Sequence, residues 1–383
     1  MPNLLKVLTV FGTRPEAIKM APVVQALAAN PDDFESVVCV TAQHRELLDQ
    51  VLQLFNITPD IDLDLMKPNQ DLTQITTAVL LGMRAVLQDV QPDIVLVHGD
   101  TTTTMATTLA CYYQQIPVGH VEAGLRTFDN YYPFPEEVNR VVTDSLATLY
   151  FAPTERSKQN LLKIAPHPEG IYLTGNTVID ALFYTLEHAQ CNSPVTLPAG
   201  QKLILVTAHR RENFGEPMVE ICKALKTIVE QHSDVEIVYP AHPNPNVRKA
   251  VDEHLRNVDR IHILEPLEYE PFCKLMEQAT LILTDSGGIQ EEAPSLKKPV
   301  LVLRDETERP EAVDMGTVKL VGPHFDKIVS ETRRLLTDEA AYKAMAQAVN
   351  PYGDGKASAR IMDALRAFQQ QRLSTKAEVA AKA

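Results

Sequence analysis

Short apolar runs rich in β-branched residues alternate with longer amphipathic stretches along the whole chain, and that alternation leaves few folds open. Twelve runs read as strands: 4–11, 37–41, 94–98, 118–121, 149–151 and 171–174, then 202–207, 235–239, 261–264, 281–284, 300–303 and 318–321. Helical periodicity fills the gaps, as at 16–29, 72–88, 216–231 and 325–336. Repeated βα units of this kind specify parallel sheets covered by helices on both faces. The expected class is therefore α/β, with two doubly wound, Rossmann-like domains. The runs divide into two sixes across the loop-prone region 177–200, which places an N-terminal domain at 1–175 and a C-terminal domain at 176–355. A helix near 356–371 is expected to pack back on the first domain, and the short polar tail 374–383 to stay flexible. Two such domains facing a central cleft bring the carboxyl ends of their strands together, where ligands bind in open α/β sheets.

Composition removes several function classes. A net charge of −14 with no basic patch argues against nucleic acid or an anionic membrane as partner. The five cysteines (Cys39, Cys111, Cys191, Cys222 and Cys273) are scattered and never form CxxC, which speaks against a disulfide framework or a zinc site and for a reducing compartment. No histidine spacing matches a metal motif such as HExxH, so no metal is expected. The apolar stretch 4–11 is too short for a signal peptide, and no run nears the ~18 apolar residues of a membrane span. A cytoplasmic protein is expected.

The unusual residues cluster just after predicted strands, at the edge where α/β folds carry function. The clearest is 281–292, LILTDSGGIQEE, a buried strand that breaks at Asp285-Ser286-Gly287-Gly288 and resumes as a helix. Free N–H groups at such a helix start favour an anion, and the two glycines let a phosphate approach the backbone. Glu292, about one turn further in, can accept two hydrogen bonds from a vicinal diol such as a ribose. Arg14 and Lys19 follow the first strand, Asp100 the third and Glu122 the fourth; His209, Arg210 and His242 follow the first two strands of the second half. Each has a structural alternative: Arg14 pairing with Glu16, Asp100 as an N-cap, Glu122 in a salt bridge, Glu136 and Glu137 as dipole-favoured acids, His209 as a surface-loop residue, and His98 and His120 as framework residues. The anion turn with Glu292, Arg14, Lys19 and Arg210 points to a nucleotide diphosphate. There is no GxxxxGK[ST] and no GxGxxG after a strand, which excludes a P-loop enzyme and speaks against a bound nicotinamide cofactor. Two nucleotide-type domains without either motif resemble the glycosyltransferase-B architecture, whose ligands are nucleotide sugars.

Longer blocks carry a closer resemblance. VFGTRPEAIKMAP, VHGDTTTT, HVEAGLRT, FPEEVNR, GNTVID, HRREN, LTDSGGIQEEAPSLKKPVLVLRDETERPEA and NPYGDGKAS, spread over 6–366, resemble the bacterial non-hydrolysing UDP-N-acetylglucosamine 2-epimerases. The resemblance implies a cytoplasmic homodimer that interconverts UDP-N-acetylglucosamine and UDP-N-acetylmannosamine without an added cofactor. The chemistry suits the inventory. No carbonyl acidifies the hydrogen at C2, and oxidation at C3 needs the nicotinamide site that the sequence lacks. The remaining route expels UDP across C1–C2 to an enzyme-bound 2-acetamidoglucal and adds it back with a proton on the other face. Such a path needs acid/base groups at C2 and strong diphosphate stabilisation.

By the same resemblance, Asp100, Glu122 and Glu136 are the acid/base carboxylates, and His209 assists the leaving diphosphate. Arg14, His209, Ser286, Gly287 and Gly288 hold phosphate, Glu292 takes the ribose, Phe272 meets the uracil, and Lys19 and Arg140 support the carboxylates. Gln43, Gln70, Arg210 and His242 match a second UDP-N-acetylglucosamine site that activates bacterial members. Asn69, Tyr132 and Pro243 depart from the family pattern and bear on that second site more than on the catalytic one. The rival readings are a hydrolysing 2-epimerase, a glycosyltransferase of the same fold and a non-catalytic nucleotide-sugar sensor. The product is expected to feed cell-surface polysaccharide.

Overall fold

The computed structural model describes residues 4–42, 45–65, 67 and 69–382. It separates into two compact units, one formed by Met1–Tyr184 with Tyr352–Ala383 and the other by Thr185–Pro351. Each is a parallel α/β sheet, so the chain has the two doubly wound domains of the glycosyltransferase-B class.

In the first unit the strands are β1 (Leu5–Phe11), β2 (Phe34–Val40), β3 (Ile61–Asp62), β4 (Ile94–His98), β5 (Val118–Val121), β6 (Leu149–Ala152) and β7 (Ile171–Leu173). They lie in the order β3-β2-β1-β4-β5-β6-β7, every pair parallel. β3 is a two-residue edge strand that the apolar pattern does not foretell, and β2 begins at Phe34 rather than at 37. All five residues of β4 are buried, the signature of a strand covered on both faces. The core on one face joins Leu8 and Val10 with Val79, Met83, Val95, Val97, Ala106 and Cys111.

The second unit holds β8 (Lys202–Thr207), β9 (Val235–Pro240), β10 (Ile261–Leu264), β11 (Leu281–Thr284), β12 (Val300–Val302) and β13 (Val318–Leu320). Their order is β10-β9-β8-β11-β12-β13, again all parallel. The helix Glu216–Gln231 spans the residues its periodicity predicts and buries Ile221, Leu225 and Ile228 in the core.

Strand order reverses between β1 and β4 in one sheet and between β8 and β11 in the other. In doubly wound sheets the crevice beyond such a switch point receives the ligand. The chain segments leaving these four strands carry Arg14, Asp100, His209 and Ser286 respectively.

The helix Arg14–Ala28 starts directly at the first of these points. Thr13 is extended (φ −118°), Pro15 sits in the first turn, and the Glu16 carboxylate accepts from the Gly12 and Thr13 N–H groups at 3.1 and 2.8 Å. The same carboxylate accepts from the Thr101 and Thr104 hydroxyls at 2.6 and 3.2 Å, which ties the β1 turn to the β4 turn.

The first unit is completed from far along the chain. Asp180 accepts from the N–H groups of Ala357 and Ser358 at 3.1 and 2.9 Å, starting the helix Ala357–Lys382. That helix buries Ile361 and Leu365 and packs on Arg14–Ala28, with Arg366 bound to Asp33 at 2.8 Å. Among the described residues no helix is long and apolar enough to cross a membrane, and no group of three or more His, Cys, Asp or Glu side chains is placed to hold a metal.

Candidate active site

Of the three carboxylates, Asp100 and Glu122 follow adjacent strands at the carboxyl edge of the first sheet and Glu136 opens the helix Glu136–Leu146, each in a different setting. Glu122 follows β5 in a left-handed backbone conformation (φ 64°), which non-glycine residues adopt uncommonly. Gly124 must be glycine: its φ is 87°, and a Cβ there would lie 2.4 Å from the Ser157 carbonyl oxygen. The Glu122 side chain is buried, and its Oε2 accepts from the Lys19 ammonium and, at 2.8 Å, from Asn176 Nδ2. Burial pushes this carboxyl up, but the Lys19 charge and the neighbouring His98 outweigh it and hold Glu122 well below the usual carboxylate range. His98 Nε2 stands 3.7 Å from the same oxygen, an electrostatic rather than a hydrogen-bonding distance.

Asp100 accepts from Arg140 at 2.5 Å, while its backbone carbonyl accepts from Asn139 Nδ2 at 2.8 Å. Both donors lie on the helix Glu136–Leu146, which therefore fixes the β4 turn. The two adjacent acids opening that helix part company. Glu137 is buried and accepts from Arg140 and from the N–H groups of Thr127 and Phe128, all at 3.1 Å. Glu136 Oε2 is buried with no hydrogen-bond partner among the described residues. Arg14 likewise has no hydrogen-bond or ion-pair partner among the described residues, since Glu16 is engaged with the two turns.

Behind the carboxylates lies a buried framework. His120 bonds Asp144 through Nδ1 and the Gly99 carbonyl through Nε2, at 2.5 and 2.7 Å, and Arg126 donates to the other Asp144 oxygen. Burial raises the Asp144 carboxyl, but His120 and Arg126 more than offset it and hold the pKa low.

In the second unit, Asp285 organises the turn. Its Oδ2 accepts from the N–H groups of His209 and Arg210 at 2.7 Å and from Asn213 Nδ2 at 3.0 Å, joining the segment after β8 to the one after β11. The His209 ring stacks on His242, with centroids 5.5 Å apart, and its Nδ1 lies 3.4 Å from Asp285 Oδ1. Burial lowers the His209 pKa; Asp285 opposes this, and His242 and Arg210 reinforce it.

Ser286 caps a six-residue helix, Gly287–Glu292, that a 3-10 turn, Ala293–Leu296, continues. The Ser286 N–H donates to Thr284 Oγ1 at 2.9 Å. Neither Gly287 nor Gly288 has a positive φ, and a Cβ on either meets nothing nearer than 3.8 Å. The protein's own packing thus does not require glycine at either position. Glycine leaves open the space over the first-turn N–H groups, which have no partner inside the helix. Tyr269 donates to Glu292 Oε1 at 2.6 Å, and half-buried Phe272 lies one turn along the same helix, Tyr269–Gln278.

Four residues of these settings escape sequence reading as site residues: Asn176 on Glu122, Asp285 under His209, Tyr269 on Glu292, and Arg309. The Arg309 guanidinium carbon lies 3.8 Å from where a Gly287 Cβ would be, and its Nε donates to buried Glu291. A buried Asp at the end of an apolar strand was the one local signal for Asp285; the other three contacts exist only in the fold. Of the residues matched to a second ligand site, Arg210 and His242 adjoin His209, and Gln70 accepts from the Lys67 N–H at 2.8 Å. Gln43 lies outside the described residues. The five cysteines are free thiols, and burial pushes Cys39 and Cys222 up to about 12, so neither serves as a thiolate nucleophile.

Comparison with known proteins adds a further finding. The family model described as UDP-N-acetylglucosamine 2-epimerase matches residues 25–366. The chain is 58% identical over 372 residues to the protein of that name from Escherichia coli (strain K12), covering 94% of this chain and 98% of that one. It is 55% identical to the Bacillus subtilis (strain 168) protein over 361 residues, covering 94% and 95%. Among solved structures, the Neisseria meningitidis UDP-GlcNAc 2-epimerase bound to UDP-GlcNAc is similar with a TM-score of 0.84 at 52% identity, covering 94% of this chain and 99% of that one.

Proposed function

From the premise that the chain belongs to the UDP-N-acetylglucosamine 2-epimerase family, we propose that it interconverts UDP-N-acetylglucosamine and UDP-N-acetylmannosamine by the non-hydrolysing route, without a cofactor. A carboxylate takes the proton from C2, the electrons of that C–H bond form C1=C2, and the C1–O bond breaks with its electron pair leaving on UDP. The 2-acetamidoglucal stays bound. UDP then returns to C1 while an acid delivers a proton to the opposite face of C2. Asp100, Glu122 and Glu136 supply these proton transfers, Lys19 and Arg140 hold two of them in place, and His209 and Arg14 assist the departing diphosphate. Ser286, Gly287 and Gly288 cradle phosphate, joined by Arg309; Glu292 takes the ribose and Phe272 the uracil.

The observation that carries this reading is the contrast among the three carboxylates. Glu122 is held charged by Lys19, Asp100 is paired with Arg140, and one buried Glu136 oxygen has no partner. Proton removal at one face and delivery at the other calls for such unlike groups. In the same reading the protein is a cytoplasmic homodimer whose product feeds cell-surface polysaccharide. A second UDP-N-acetylglucosamine activates it through Gln43, Gln70, Arg210 and His242, and the stacking of His242 on His209 favours that last link.

Proton NMR of the purified protein with UDP-N-acetylglucosamine in D2O, with nothing else added, tests the route. UDP-N-acetylmannosamine deuterated at C2, reaching equilibrium with little free UDP, is the expected result. Accumulation of UDP and free N-acetylmannosamine would assign the hydrolysing reaction instead. Unchanged substrate would refute both and turn attention to glycosyl transfer.

A further inference from the structure

His98 at the end of β4 has no role in the scheme so far. Its side chain is 5% exposed, and among the described residues neither ring nitrogen has a hydrogen-bond partner. Buried polar atoms without partners are few in native proteins, because each bears the cost of leaving water uncompensated. His120, on the neighbouring strand, shows what a framework histidine looks like: fully buried, with both nitrogens engaged. His98 is within ion-pair range of Glu122 but makes no hydrogen bond with it. The oxygen it faces already accepts from Lys19 and Asn176, and the 3.7 Å gap is too long for a hydrogen bond. The strand end that carries the ring is itself fixed, since the His98 carbonyl accepts from Thr104 Oγ1 at 2.5 Å. The ring is thus held beside the Glu122 carboxylate with its hydrogen-bonding capacity unspent.

We propose that His98 is a ligand-contacting residue, hydrogen-bonding a polar substituent of the hexosamine ring, a hydroxyl or the acetamido group, while Glu122 acts on the same sugar. The inference rests on the nucleotide-sugar reading above and adds a contact to the sugar ring that the carboxylate scheme does not contain. It also explains why a buried histidine is tolerated with neither nitrogen satisfied by the protein: the substrate satisfies it.

Substituting His98 by Phe separates this role from a packing role. Phe fills nearly the same volume and has no nitrogens to leave unmet, and replacing an unpartnered buried polar group by an apolar one of like shape is neutral or stabilising. Because Lys19 and Asn176 still hold the Glu122 oxygen, His98→Phe is expected to stay folded and to melt within about 4 °C of the wild type without ligand. It should turn over UDP-N-acetylglucosamine about ten- to a hundredfold more slowly, while binding of UDP alone, which lacks the sugar, stays within about twofold by calorimetry. His98→Gln, which restores a donor and an acceptor, should recover part of the lost turnover. Melting temperatures lowered beyond that in both variants, or His98→Phe turnover within about threefold of wild type, would overturn the proposal. An inactive wild-type protein would refute the epimerase reading and this contact together, and is told apart because the wild type itself then fails.

Discussion

Replacing Lys19 by Met should move the acid limb of the kcat/KM–pH profile, and the structure fixes the direction. The side chains of Lys19 and Glu122 are 14% and 8% exposed, so the ammonium acts on the carboxylate through little water. Burial works against the Glu122 charge, yet Lys19, then His98, hold the group well below its ordinary 4.5. A cation this close to a buried carboxylate favours its charged form. Lys19→Met removes the larger stabilising influence and leaves the burial. In the wild type, the charged carboxylate contributes stability above the unfolded-state value, and that contribution is lost only as pH falls through the depressed folded value. In the variant, the folded value rises, and Glu122 takes up its proton nearer neutrality. Initial rates measured across the acid and neutral range should therefore show the acid limb displaced toward higher pH. Thermal unfolding at neutral pH should also be easier, since stripping one partner from a buried pair costs ~3–5 kcal/mol. Lys19→Arg, which keeps the charge, should leave the limb near its wild-type position. An acid limb that stays put in Lys19→Met would refute the argument that Lys19 is what keeps Glu122 charged.

Three further substitutions probe the second unit. Asp285→Ala leaves the His209 and Arg210 N–H groups and the Asn213 amide without their shared acceptor. A loss of about 3 kcal/mol is expected, seen by calorimetry as a fall of roughly 6–12 °C in melting temperature. Gly287→Ala should leave the free protein as stable as before, because the new methyl meets nothing closer than 3.8 Å. Its UDP affinity should fall by about tenfold or more, and unchanged affinity in titration calorimetry would show that no phosphate approaches the backbone there. Tyr269→Phe frees Glu292 Oε1 from its hydroxyl donor. UDP should then bind about three- to tenfold more weakly, with no further loss when Glu292 is already Gln if the hydroxyl acts through that carboxylate.

Most of the fold was legible because strands buried on both faces announce themselves as unbroken apolar runs. IVLVH at β4 and LILT at β11 read without ambiguity, and both are wholly buried. Ile61–Asp62 did not, because two residues at a sheet edge leave no periodicity to detect. The site was legible as positions rather than as partnerships. Arg14, Asp100, His209 and Ser286 could be placed after strands, but that these four strands flank the switch points depends on strand order, which alternation alone does not specify. Glu136 and Glu137 show the limit most plainly. They are the same residue type side by side at one helix start, and only packing makes Glu137 an anchor for 127–128 and leaves a Glu136 oxygen unpaired. Asn176 bonds a carboxylate 54 positions earlier in the chain, and nothing local to GNTVID signals it.

The way the first unit closes bears on how the chain comes to be folded during synthesis. Thr185–Pro351 is one continuous stretch, whereas the first unit needs the helix that begins at Ala357 to cover Arg14–Ala28. A ribosome therefore polymerises every residue of the second unit before it makes the helix that seals the first. The domain begun earlier is finished later, and until then the surface that Ile361, Leu365 and Phe368 will cover stays open to water. A nascent chain halted once the whole of Thr185–Pro351 has emerged would therefore offer chaperones the unsealed surface of Arg14–Ala28 at its amino-terminal half.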